Sequence, residues 1–241
     1  PSGCVIWMHG LGADASDFEP IVPMLSLHRS LKFVFPNAPI RPITINGGAE
    51  MRGWYDIDPG APLAGGEDIE ASAADIARLI EAEVNAGIPA SQIVLAGFSQ
   101  GGVIALHLGL AYTKKLAGIM ALSTYLHDHE NIANRLGFAN VDTPIFMAHG
   151  LSDPMIPITR AITARETLLG LNYTIQWHEY AMGHQVCPQE IQDIATWLNQ
   201  IFPRSTRSNQ AQELGWIASL LISIASSPIM RHARKRLRAW P

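Results

Sequence analysis

Short apolar runs recur along the first two hundred residues and alternate with amphipathic segments. Such runs have the length and composition of strands that are buried on both faces of a sheet. They predict strands at residues 4–8, 32–35, 93–96, 118–123 and 144–148, and an alternating segment predicts a further strand at 173–180. Helices are predicted at 68–85, 103–108, 159–169 and 188–201. Alternating strands and helices predict an α/β fold with a mostly parallel, doubly wound sheet and helices on both faces.

One run leads directly into the pattern G-x-S-x-G at residues 97–101, with a predicted helix behind it. In this strand–turn–helix context the central residue, Ser99, would project above the sheet from a strained backbone conformation. Glycine at positions 97 and 101 would let strand and helix approach closely. The alternative is a glycine-rich turn that carries an incidental serine, because short motifs have false positives.

A serine hydroxyl becomes a strong nucleophile only when a neighbouring base takes its proton. Asp153 follows the predicted strand at 144–148, and His184 lies in a glycine-containing loop before the last predicted helix. The chain order Ser99, Asp153, His184 is the order expected of a nucleophile-elbow hydrolase. Asp142 is the competing carboxylate, but it precedes its strand. The competing histidines are His107, His127, His129 and His149.

Two loops are candidate parts of the same site. The loop after the first strand, residues 9–14, contains two glycines, and its backbone N–H groups could stabilise an oxyanion. His9, which begins it, is interpreted as structural. A longer segment, from about residue 40 to residue 66, is predicted to be irregular and carries the aromatic pair Trp54 and Tyr55. It either lines a pocket or packs Trp54 against the body.

The distribution of charged residues along the chain argues against one class of function. Residues 1–201 hold ten Lys and Arg against twenty Asp and Glu, whereas residues 202–241 hold seven against one. The acidic body argues against a nucleic-acid-binding surface. Cys4 and Cys187 are far apart and belong to no metal-ligand cluster, which indicates a reducing compartment.

Several further segments match one family in order and spacing. They are 9–12 (HGLG), 36–39 (PNAP), 52–56 (RGWYD), 97–102 (GFSQGG), 149–153 (HGLSD) and 182–184 (MGH). Over about residues 3–201 the chain therefore strongly resembles the carboxylesterase/acyl-protein thioesterase family, and most of all its bacterial phospholipase/carboxylesterase members.

The resemblance implies an α/β-hydrolase fold and a serine hydrolase that cleaves carboxylic esters or thioesters of short- to medium-chain acyl groups. It implies Ser99 as nucleophile, His184 as base and then acid, and Asp153 as its orienting partner. The backbone N–H groups of Leu11 and Gln100 would form the oxyanion hole, and Trp54 would stand near the acyl pocket. It also implies no metal or other cofactor, substrates such as lysophospholipids or S-acylated proteins, a cytoplasmic location and, in some members, a homodimer.

Two departures from the family pattern lead to further expectations. Only three residues precede the first strand, so an additional N-terminal edge strand is expected to be missing. The hydrolase domain is expected to span residues 1–203, which leaves residues 204–241 as an atypical apolar and basic tail. That tail would be a membrane-surface element, an interaction segment or sequence without selected function. The competing interpretation of the whole chain is a non-catalytic acyl- or partner-binding module, or an inactive fragment.

Overall fold

The computed structural model describes residues 1–204, and a six-stranded sheet forms their centre. In chain order the strands of this sheet are β1 (Cys4–Met8), β2 (Lys32–Val34), β5 (Ile93–Phe98), β6 (Gly118–Leu122), β7 (Ile145–Gly150) and β8 (Ile175–Tyr180). A separate antiparallel hairpin consists of β3 (Ile40–Ile43) and β4 (Ala49–Arg52). The helices are α1 (Gly66–Asn85), α2 (Gln100–Ala111), α3 (Ile158–Gly170) and α4 (Pro188–Ile201).

The strands of the large sheet follow the order β2-β1-β5-β6-β7-β8, and every neighbouring pair is parallel. Met8 at the end of β1 pairs with Gly97 near the end of β5, and Phe98 pairs with Leu122 at the end of β6. The carboxyl ends therefore meet at one edge of the sheet, where ligands bind in doubly wound folds.

The continuous apolar runs are explained by burial on both faces. In β5, Ile93 and Leu95 pack on the side that α1, α2 and α3 cover, whereas Val94 and Ala96 face α4. Side chains alternate across a strand, so a strand between two helical layers must be apolar at every position. The predicted α/β-hydrolase fold, with helices on both faces of the sheet, is confirmed.

One edge of the sheet is β2, which pairs only with β1 among the described strands. Its residues are exposed or partly buried, unlike those of the central strands. Residues 1–3 lie in no strand. The segment that the sequence predicts as irregular contains the β3–β4 hairpin, whose strand residues are mostly polar or exposed and include Pro42. Such strands lack the alternation that reveals a half-buried strand.

The predictions for the tail at 205–241 lie outside the described residues. Within residues 1–204, no helix combines the length and the apolar character that crossing a bilayer requires.

The helix α4, which packs on the opposite face of the sheet from α1, α2 and α3, carries a buried acid. Glu190, in the first turn of α4, is completely buried, and neither carboxyl oxygen has a hydrogen-bond partner among the described residues. Burial raises the pKa of Glu190 to about 8, and the nearby charge of Asp193 acts in the same direction. The folded chain therefore holds this side chain as a neutral acid at pH values well below 8.

We expect Glu190→Gln to reduce the loss of stability as pH rises. Between the ordinary pKa of 4.5 and about 8 the folded state binds a proton that the unfolded state releases. Glu190 thus stabilises the fold fully only below this range, and its contribution falls by up to about 1.4 kcal/mol per pH unit within it. Urea unfolding from pH 5 to pH 9 should show a gap between the variant and the parent chain that grows with pH.

The matched control is Glu67→Gln, which changes an exposed glutamate in the first turn of α1. Its difference from the parent chain should stay small across the same pH range. A gap for Glu190→Gln that does not change with pH would contradict the expectation.

Candidate active site

The turn between β5 and α2 holds Ser99 in an unusual backbone conformation. Its φ is 55° and its ψ is −120°, and its backbone N–H donates to the carbonyl of Leu122 at 2.9 Å. Thr124 Oγ1 donates to the Ser99 carbonyl at 2.7 Å. Such a conformation costs about 1–3 kcal/mol and persists only where the surroundings impose it. Here the two hydrogen bonds tie the serine to the last residue of β6 and to the segment that follows it.

Two glycines allow this turn. A Cβ atom on Gly97 would lie 2.1 Å from the backbone of Gly101. A Cβ on Gly101 would lie 2.3 Å from the carbonyl oxygen of Met8, at the end of β1. Side chains therefore cannot be placed at these positions without moving backbone, and the helix can begin where it does only because both residues are glycine.

The structure brings Ser99, His184 and Asp153 into one chain of hydrogen bonds. His184 Nε2 lies 3.0 Å from Ser99 Oγ, and His184 Nδ1 lies 2.7 Å from Asp153 Oδ2. The His184 ring also packs against Phe98, with 4.8 Å between ring centroids. The side chain of His184 is 18% exposed, whereas that of Asp153 is 0% exposed. The histidine can thus reach a substrate while its carboxylate partner is shielded from water.

The carboxylate of Asp153 is held in place from two sides. Asp153 Oδ1 accepts hydrogen bonds from the N–H groups of Met155 and Ile156, at 2.8 and 2.9 Å. Burial raises the pKa of Asp153, but these hydrogen bonds and the one from His184 outweigh it, and the net pKa is lowered. Asp153 is therefore ionised near neutral pH and fixes the His184 ring with Nδ1 protonated.

His149 packs against the same carboxylate without competing for its role. Its Nε2 lies 2.8 Å from the Ile156 carbonyl and 3.5 Å from Asp153 Oδ2. Burial lowers the pKa of His149. This neutral ring, near the end of β7, donates its Nε2 proton to a backbone carbonyl and so holds the loop that follows the strand.

The other candidates lie elsewhere. Asp142 precedes β7 and forms an ion pair with Lys115. His107 lies within α2 and contacts Arg135, and burial lowers its pKa. His9 is buried, with Nδ1 2.7 Å from the Gly10 carbonyl and Nε2 accepting from the Ala38 N–H at 3.0 Å. None of these three side chains lines the cavity that contains Ser99.

Backbone N–H groups beside Ser99 are available at the positions that the resemblance indicated. Leu11 and Gln100 both line the cavity with Ser99, from the loop after β1 and from the first position of α2. Neither backbone N–H donates to an acceptor in residues 1–204. The N–H groups at the start of a helix have no partner within it, so the Gln100 N–H is free to bind an anion.

The Gln100 side chain connects this turn to the segment after β4. Its Oε1 accepts from the Trp54 N–H at 2.8 Å, and its Nε2 donates to the Tyr55 carbonyl at 2.7 Å. The Trp54 indole N–H donates to the His9 carbonyl at 2.8 Å, and Trp54 is 2% exposed. The structure therefore places Trp54 in the packed interior, while its neighbour Tyr55 forms part of the cavity wall.

The cavity in front of Ser99 has a volume of about 410 Å³. Its wall is mainly apolar and includes contributions from the hairpin and from the loop before α3. The apolar residues are Leu11, Ala13, Ile45, Met51, Ile57, Phe98, Met155 and Ile156, and the polar side chains include Asp17, Tyr55, Tyr125 and Arg160. The wall residues after β3, β6 and β7 were missed by sequence reasoning, since no motif marks them.

A metal centre finds no support in the part of the chain that the structure describes. Residues 1–204 contain no group of three or more His, Cys, Asp or Glu side chains placed to hold a metal ion.

Fold and site together define the class of the protein as an α/β-hydrolase. Comparisons with known proteins identify its family within that class. The family model for phospholipases/carboxylesterases matches residues 1–202. Acyl-protein thioesterase 1 of Neurospora crassa is 38% identical, over 87% of this chain and 91% of that protein. Acyl-protein thioesterase 1 of Mycosarcoma maydis is 37% identical, over 84% of this chain and 92% of that protein.

A solved structure is also similar to this chain in both fold and sequence. SOBER1 of Arabidopsis thaliana superposes with a TM-score of 0.75 at 28% identity, covering 83% of this chain and 99% of that one. The chain belongs to the phospholipase/carboxylesterase family. It is a hydrolase of the thioesterase/carboxylesterase class.

We expect Gly97→Ala to destabilise the protein strongly, because the added methyl group would meet backbone atoms at 2.1 Å. Forced overpacking of this kind should lower the free energy of unfolding by about 3 kcal/mol or more. Urea denaturation followed by tryptophan fluorescence measures the change.

Gly170→Ala is the matched control, since nothing lies within 4 Å of its Cβ position at the end of α3. Its free energy of unfolding should change by no more than about 1 kcal/mol. Equal effects of the two substitutions would contradict the role assigned to close packing at the turn.

Proposed function

We propose that this chain hydrolyses acyl esters and thioesters through a covalent acyl-enzyme on Ser99. The observation that carries the proposal is the chain of hydrogen bonds from Ser99 Oγ through His184 to Asp153, at 3.0 and 2.7 Å. Nucleophile, base and orienting carboxylate stand in the geometry that nucleophilic catalysis requires. Family membership supports the reaction class.

In the first half of the reaction, Ser99 Oγ attacks the carbonyl carbon while His184 Nε2 takes the hydroxyl proton. Asp153 accepts the hydrogen bond from Nδ1–H and stabilises the imidazolium that forms. The tetrahedral intermediate collapses, the bond to the leaving oxygen or sulfur breaks, and His184 returns the proton to the leaving group. The acyl group is then bound to Ser99 Oγ as an ester.

In the second half, water attacks the acyl-enzyme, with His184 as base again. Collapse of the second intermediate releases the carboxylic acid and returns the proton to Ser99. In both halves we assign the negative oxygen to the backbone N–H groups of Leu11 and Gln100. Their freedom from partners in residues 1–204 supports this assignment, and the positive end of α2 adds to it.

The cavity supports an acyl substrate. Its volume of about 410 Å³ and mainly apolar wall suit a short- to medium-chain acyl group. Two relatives are named acyl-protein thioesterases, which supports acyl thioesters, including S-acylated proteins, as substrates. Lysophospholipids present the same acyl ester chemistry.

We assign Trp54 a positioning role, because its indole and backbone hold the segment that carries Tyr55 against Gln100. The likeness to acyl-protein thioesterases also supports a cytoplasmic location for this chain.

The competing function is a non-catalytic acyl-binding module. A binding module needs the apolar cavity but has no use for a serine, a histidine and a buried carboxylate in hydrogen-bond contact. The two functions are separated by whether Ser99 reacts.

We expect a fluorophosphonate probe to label the parent chain and to fail with Ser99→Ala. The probe reacts with activated serine hydroxyls, and the contact with His184 activates this one. Gel fluorescence of the labelled protein is the readout. Ser91→Ala is the matched control, because this exposed serine lies just before the opposite end of β5, and the variant should label like the parent chain. A folded parent chain without label would favour the binding module.

We expect Asp153→Asn to lower kcat for ester hydrolysis by about 10³- to 10⁴-fold, because the amide would favour the wrong His184 tautomer. An asparagine Oδ1 can still accept from Met155 and Ile156, so the loop should remain folded. Steady-state kinetics with p-nitrophenyl hexanoate measures the loss. Asp142→Asn, at the competing carboxylate, should retain nearly full kcat. A similar loss in both variants would argue against the assigned role of Asp153.

A further inference from the structure

Two neighbouring cavities share wall residues with the catalytic cavity, and Tyr125 and Arg160 line all three. The neighbours have volumes of about 370 Å³ and about 340 Å³. Tyr125 follows β6, whereas Arg160 is the third residue of α3. Arg160 therefore lies where a substrate that extends from Ser99 toward either neighbouring cavity can contact it.

The guanidinium group of Arg160 rests on a rigid support. Its central carbon lies 3.4 Å from the centroid of the Tyr125 ring. Tyr125 is 9% exposed, and its hydroxyl hydrogen-bonds the hydroxyl of Tyr55 at 2.8 Å. Tyr55 is itself 2% exposed. A guanidinium stacked on an aromatic face keeps its in-plane N–H donors free for a planar or tetrahedral anion.

No carboxylate neutralises this cation within residues 1–204. Arg160 has no acidic oxygen within 4 Å and no side-chain hydrogen bond there, although this part of the chain holds twenty Asp and Glu against eleven Lys and Arg. Other arginines do have such partners: Arg41 pairs with Asp68, Arg135 with Glu70 and Arg165 with Glu166. A cation that lines the catalytic cavity is thus left available.

The acids near this position belong to other walls. Asp17 lines the catalytic cavity from the segment that follows the Leu11 loop, and Asp128 and Glu130 line the neighbour of about 370 Å³. Asp56 and Asp58 line the neighbour of about 340 Å³. The cavity therefore carries charges of opposite sign on separate elements. That arrangement can orient a substrate that has one charged group.

We propose that Arg160 binds a carboxylate or phosphate group of the substrate and makes the enzyme selective for acyl esters or thioesters that carry negative charge. The inference rests on the proposed function, which places the reacting carbonyl at Ser99. A guanidinium donates two parallel hydrogen bonds to such an anion, and charge-assisted bonds are the strong ones. Arg160 is therefore a specificity-determining residue, and it touches the substrate away from the bond that breaks.

The anion can belong to either part of the substrate. It lies on the acyl chain in a half-ester of a dicarboxylic acid, and on the leaving group in an acylated glycerol phosphate. Two matched substrate pairs separate these sources. The first pair is p-nitrophenyl hexanoate and mono-p-nitrophenyl adipate, and the second is monohexanoylglycerol and its phosphate ester.

The experiment measures kcat/KM for both pairs with the full chain, with Arg160→Gln and with the control Arg165→Gln. Arg165 lies on the same helix, pairs with Glu166 and stacks on Trp177, and does not line the catalytic cavity. We expect Arg160→Gln to lower kcat/KM for the charged member of one pair by about tenfold or more. The neutral members should change by no more than about twofold.

Two further readouts separate a charge contact from a structural role. Arg160→Lys should recover part of the lost kcat/KM for the anionic substrate, because it restores the charge without the fork. Added salt should reduce the preference of the parent chain for that substrate, since screening weakens an exposed charge contact.

Each remaining outcome overturns a defined claim. If the parent chain cleaves the neutral esters and Arg160→Gln shows no selective loss, the role of Arg160 is wrong and the proposed function stands. An equal loss on charged and neutral esters would make Arg160 structural. If the folded parent chain cleaves none of the four substrates, the proposed function fails, and the inference that depends on it fails too.

Discussion

Backbone-to-backbone contact at the turn after β5 is the constraint on which the rest of the site depends. Gly97 and Gly101 lack the atoms that would separate β5, β1 and the start of α2, and added Cβ atoms would lie 2.1 and 2.3 Å from backbone. This contact forces Ser99 to a φ of 55° and lifts its oxygen above the sheet. The cost of that conformation is offset by burial of the strands and helix on either side.

Once Ser99 is fixed, the parallel sheet brings the other groups to it. The carboxyl ends of β1, β5, β7 and β8 share one edge, so each following loop starts within reach of the serine. Those loops deliver Leu11, Asp153 and His184. Hydrogen bonds then fix each loop locally, such as those from Met155 and Ile156 to Asp153. Such a site is preorganised by its scaffold, which is what electrostatic catalysis requires.

The sequence predicted the central strands and the turn well, because doubly buried strands are continuous apolar runs and the G-x-S-x-G spacing requires a specific backbone. It did not predict the β3–β4 hairpin, whose exposed strands include Pro42 and lack a clear alternation. The residues that form the cavity walls were the hardest to predict from the sequence. Tyr55, rather than Trp54, faces the cavity because Gln100 and His9 bind the Trp54 backbone and indole. Such contacts between distant segments leave no local pattern to read.

The polar groups around the cavity divide into those that hold the structure and those that a substrate can use. The Gln100 side chain, His9 and His149 all bind backbone groups, and removal of a partner would leave a buried donor or acceptor unsatisfied. In residues 1–204, by contrast, the N–H groups of Leu11 and Gln100 and the guanidinium of Arg160 face the cavity without a protein acceptor. Donors without a protein acceptor at the cavity wall support the proposal that the substrate's negative atoms bind there.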